Sequence, residues 1–184
     1  NPRFKKLIWV PGNHELWTVD DSFAGEAKYD QMISICRECG VLSPEDQFES
    51  VRIADKNYIL APLFVLYDYS FKPAEVAVAD AIDWAAESGI HCADEVYLNT
   101  KPYSSVGQWC AERIQISRTK LQAIPREHEI VLINHFPLRG DLIHLPFIPR
   151  FRIWCGTQPT ESWHRNFNLE NQFFSECRVI CKGK

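Results

Sequence analysis

An α/β fold is the class this sequence predicts, and three observations predict it. Leu7-Ile8-Trp9-Val10 and Ile130-Val131-Leu132-Ile133 are continuous apolar runs of the kind that form strands buried on both faces. Segments with helical spacing lie between them, and strand alternating with helix favours a layered α/β arrangement. The length of 184 residues suits one domain spanning residues 1–184.

The elements follow in chain order. Lys5 and Lys6 precede the first apolar run and Pro11-Gly12 follows it, which predicts a strand ending in a tight turn. Glu26 to Cys39 predicts an amphipathic helix carrying Tyr29, Met32, Ile33 and Cys36 on one face. Gly40 stands where a left-handed cap stops a helix. Tyr58 to Leu66 predicts a strand disturbed at Pro62. Ala79 to Ser88 predicts a short helix ending at Gly89. Cys92 to Ser105 lacks a period and predicts a loop. Val106 to Ile124 predicts a long helix, with Val106, Cys110, Ile114 and Leu121 at helical intervals before Pro125. After Phe136, four prolines among many aromatics predict an irregular stretch.

Composition narrows the function classes. Apolar residues make up 46% and charged residues 24%, which excludes a disordered or low-complexity chain. A net charge of −4 argues against a basic nucleic-acid surface. No apolar run approaches the roughly 20 residues of a membrane span. The odd count of 7 cysteines argues against a complete disulfide framework and for a reducing compartment, so a cytoplasmic location is expected. Cys36 and Cys39, with Cys177 and Cys181, have spacings that could hold zinc, but Cys36 is already explained by its apolar helix face.

Chemistry concentrates at the two strand ends. The first run leads into Gly12-Asn13-His14-Glu15 and the second into Asn134-His135. In α/β sheets ligands bind beyond the carboxyl ends of strands. An amide oxygen and imidazole nitrogens gathered there suit a divalent ion of borderline softness. Pro11 pre-sets the turn and Gly12 permits close backbone approach. Glu15 is expected to cap or orient the loop. Asp141 and His144 form a D-x-x-H pair that matches no motif.

Val10-Pro11-Gly12-Asn13-His14-Glu15 resembles the G-N-H-[ED] signature of calcineurin-like metallophosphoesterases, and Ile133-Asn134-His135 resembles the later strand-end histidine motif of that superfamily. The resemblance implies a layered metallophosphoesterase-like β-sandwich flanked by helices. It implies hydrolysis of a phosphate monoester or diester, on a small-molecule or protein substrate, at two divalent ions (Mn, Fe or Zn). By position, Asn13 and His135 would bind metal, and His14 would stabilise the developing charge or protonate the leaving oxygen. Arg139, four residues past His135, could hold phosphate oxygens.

The superfamily's upstream D-x-H and G-D motifs and its final G-H-x-H motif are missing. This predicts a domain incomplete at both ends, with metal binding partial or absent and a sheet edge exposed. The alternative reading is a non-catalytic binding or scaffold module on the same fold.

Overall fold

The computed structural model describes residues 4, 6–19, 23–53 and 55–169. In chain order the elements are α1 (Asn13–Leu16), α2 (Gly25–Glu38), β1 (Glu49–Ile53), β2 (Lys56–Pro62), α3 (Ala81–Ala86), α4 (Asp94–Tyr97), α5 (Val106–Gln122), β3 (Glu129–Ile133) and α6 (Trp163–Asn166), with short 3-10 segments between several of them. The strands form one mixed sheet of order β1-β2-β3. β1 pairs antiparallel with β2, and β2 pairs parallel with β3 with Pro62 opposite Ile133.

The α/β class stands, but the layered β-sandwich does not. Two runs that a sandwich would need as ladders stay outside the sheet. Leu7 to Val10 makes a single parallel bridge, Ile8 to Leu42, where Trp9 N–H donates to Leu42 and Leu42 N–H donates to Leu7. Leu63 to Tyr67 leaves the sheet after Pro62 and continues as fully buried non-strand backbone. Pro62 has no N–H to extend a ladder, which fits its place at the end of β2.

Local rules place the helices. α2 buries Tyr29, Ile33 and Cys36, the face expected from their spacing, and Gly40 beyond its end has φ +65. α5 starts at Ser105, whose hydroxyl accepts the Gln108 N–H at 3.1 Å, a cap worth about 1 kcal/mol. α5 packs Trp109, Cys110 and Ile114 against Phe64 and Leu66 of the buried segment, and Phe64 meets the Trp109 ring edge-on.

α5 also buries a charge. Arg113 is 4% exposed, bonds Glu45, and lies over the rings of Tyr29 and Phe64 at 5.2 and 5.0 Å. Burial pushes the Glu45 carboxyl up, but Arg113, the Tyr29 hydroxyl and Lys120 outweigh it and hold the group below its ordinary range. Removing either partner would strand a buried charge, which typically costs about 3–5 kcal/mol. The pair locks the loop before β1 onto α5.

Cys36 is buried and Cys39 exposed, both free, while Cys177 and Cys181 lie outside the described residues. No helix among the described residues is long and apolar enough to cross a membrane.

Candidate functional site

β3 and the Leu7 to Val10 run deliver their polar ends to one place. Gly12 is buried, and a Cβ built on it would stand 2.8 Å from Cε1 and 2.9 Å from Nδ1 of His135. Its φ of −93 is ordinary, so glycine is required here by the imidazole ring packed against the backbone rather than by a special turn. The close approach expected of Gly12 is therefore to a side chain. Glu15 accepts the Gly12 N–H at 3.0 Å and so caps the single turn of α1, as expected.

The two Asn-His pairs have different environments. Asn13 is half-buried, and its Nδ2 donates to Asp94 Oδ1 at 2.7 Å, which commits the amide nitrogen and leaves Oδ1 as the carboxamide's acceptor. His14 is exposed and rests on the Trp17 ring, centroids 3.9 Å apart. Asn134 is 9% exposed; its Oδ1 accepts the Val65 N–H at 3.0 Å and its Nδ2 donates to the carbonyls of Val65 and Phe136. It staples β3 to the buried segment. His135 is half-buried, stands edge-on to Phe136, and has its pKa lowered by burial, partly opposed by Glu15 and Asp94. It is therefore neutral at pH 7 and presents a lone pair.

Asp94, the first residue of α4, was not expected. It is 2% exposed, accepts from Asn13 and from Trp17 Nε1 at 2.6 Å, and faces Tyr67, whose phenol is pushed up by burial and then by this carboxylate. No motif or period marks it, since it sits in a stretch read as a loop. Arg139 is half-buried and bonds Asp141, with Nε to Oδ1 at 2.9 Å, which pushes the guanidinium up and the carboxyl down. It belongs to a separate group with Glu161 rather than to the Gly12 cluster. His144 is exposed, and His164 contacts the Glu161 carbonyl.

The described residues contain no group of three or more His, Cys, Asp or Glu side chains that could hold a metal ion. Asn13 and His135 are two donors, below the coordination that Mn, Fe or Zn usually takes. Among the described residues this donor set does not fit a dinuclear centre. What the arrangement offers is a neutral imidazole, an amide oxygen and an exposed imidazole around a glycine-lined floor, a set suited to accepting hydrogen bonds and moving protons.

No protein-family model matches the chain. Its relatives are hydrolases of phosphodiester bonds. Over 170 residues, 90% of the chain, it is 39% identical to the acyl-carrier-protein phosphodiesterase PptH of Mycobacterium tuberculosis. The crystal structure of the phosphopantetheinyl hydrolase PptH from that organism superposes with a TM-score of 0.87 at 35% identity, over 95% of the chain and 67% of that structure. The chain belongs to the family of PptH. It spans about half the length of the curated relative, 52%.

These matches correct the assignment to the calcineurin-like metallophosphoesterases. That resemblance rested on two short strand-end motifs, whereas the PptH similarity runs along nearly the whole chain, and none of the comparisons places the chain in that superfamily.

Proposed function

We propose that this chain carries catalytic residues of a phosphodiester hydrolase that releases the phosphopantetheinyl group from acyl carrier protein. The observation that carries the reading is the 39% identity to PptH across 90% of the chain. Hydrolysis adds water oxygen to phosphorus and breaks the bond from phosphorus to the carrier-protein oxygen, which then needs a proton. His14, exposed on the Trp17 platform, supplies it. His135, neutral and held against Gly12, accepts a hydrogen bond or proton at the centre. Asn13 directs its carboxamide oxygen inward because Asp94 holds its nitrogen. Arg139, tied to Asp141, serves at most as an outer contact for the substrate's negative charge.

The test is release of phosphopantetheine from holo acyl carrier protein. His14→Ala and His135→Ala are each expected to lower kcat/KM by about 10²-fold or more with the far-UV spectrum unchanged. Activity retained by both variants would remove this cluster from the reaction.

A further inference from the structure

We infer that Asp94 is a positioning residue whose buried negative charge costs the fold stability and serves the Gly12 cluster through Asn13 and Trp17. This role rests on the reading of that cluster as the site of phosphodiester hydrolysis.

Asp94 is too buried to touch substrate itself. It is 2% exposed, and its Oδ2 is buried without a well-formed hydrogen bond among the described residues, although the Tyr67 phenol interacts with it. Its Oδ1 accepts twice, from Asn13 Nδ2 at 2.7 Å and from Trp17 Nε1 at 2.6 Å. One oxygen thus holds both the asparagine of the cluster and the indole on which His14 rests.

Geometry alone does not require a charge here. An asparagine at this position would offer the same two donors an acceptor oxygen. A carboxylate buried away from cations is costly, and Asp94 makes no ion pair among the described residues. Its titratable neighbours include Tyr67, Tyr69, Cys92 and His135. Burial pushes both phenols up, the thiol up to about 12 and the imidazole down, so all four are neutral at pH 7.

What the charge adds is a stronger pull on two members of the cluster. A hydrogen bond to a carboxylate is roughly twice as strong as one to a neutral oxygen. Drawn on by Asp94, the Asn13 amide nitrogen releases electron density to Oδ1, which becomes a better acceptor for a proton of the attacking water. The same oxygen fixes the plane of Trp17 and with it the seat of His14.

Asp94→Asn separates charge from shape. It is expected to leave the unfolding midpoint unchanged or raised, to lower kcat for release of phosphopantetheine from holo acyl carrier protein by about tenfold, and to leave KM within about twofold. A residue that only supported the fold would lose midpoint and kcat together. The hydrogen bond is read without turnover: the Trp17 indole N–H resonance, assigned with Trp17→Phe, is expected to move upfield in Asp94→Asn and to stay in place in Arg139→Gln. A kcat within twofold of the parent chain, a midpoint that falls along with kcat, or an indole resonance that does not move overturns the role. Full kcat in Asp94→Asn with activity lost in His14→Ala and His135→Ala overturns this role alone. Activity retained by both histidine variants removes the reading of the cluster and this role with it.

Discussion

Asn13-His14 and Asn134-His135 are the same dipeptide placed after two similar apolar runs, yet the fold divides the labour between them in opposite ways. In the first pair the asparagine turns toward the cluster and the histidine stands exposed at its rim. In the second the asparagine is consumed as a staple between β3 and the Leu63 to Tyr67 segment, and the histidine faces the cluster. A polar side chain that satisfies two or three buried backbone groups is structural. One that keeps an acceptor free beside a cleft is available for chemistry.

The largest effect that would break this contrast is on stability. Asn134→Ala leaves the Val65 and Phe136 backbone groups unpaired and is expected to cost about 2–4 kcal/mol in urea denaturation. Asn13→Ala should cost about 1 kcal/mol, because Trp17 still holds Asp94. Equal losses would erase the distinction.

A smaller, pH-dependent effect belongs to His135. Its folded pKa lies below the ordinary 6.5, so the unfolded chain takes up the proton first as pH falls. The associated stability is complete above about pH 6.5 and is lost as pH falls through the folded pKa. Equilibrium unfolding between pH 7 and 5 should therefore show a decline that is shallower in His135→Gln. An unchanged slope would mean that the imidazole is not desolvated. The smallest effect is assigned to Arg139: its exposed pair with Asp141 is worth about 0–1 kcal/mol. Arg139→Gln is expected to leave both the unfolding midpoint and kcat/KM within about twofold, and a large rise in KM would bring Arg139 back into the site.

Much of the framework was legible. The spacing of Tyr29, Ile33 and Cys36, with Gly40 after them, located α2 to within a residue or two, and Val106 to Leu121 located α5. Ile130 to Ile133 marked β3. β1 was missed because Glu49-Ser50-Val51-Arg52-Ile53 is short, half charged and largely exposed, and only its pairing with β2 makes it a strand. The reverse error befell Leu7 to Val10 and Leu63 to Leu66, whose apolar character signals burial and says nothing about whether a neighbouring strand is there to pair with. The same limit misled the family resemblance, since short motifs at strand ends were extended to a sandwich that the described chain does not build.

The sequence by itself determined the helices, the buried runs and the fact that both Asn-His pairs follow apolar segments, because periodicity and turn chemistry are local properties of the backbone. Tertiary structure alone decided which asparagine is a staple, why Gly12 must lack a side chain, and that Asp94 belongs to the cluster. The deciding partners lie 69 residues apart for Asn134 and Val65 and 81 apart for Asn13 and Asp94. Burial and hydrogen-bond partnership over such separations exist only once the chain has folded.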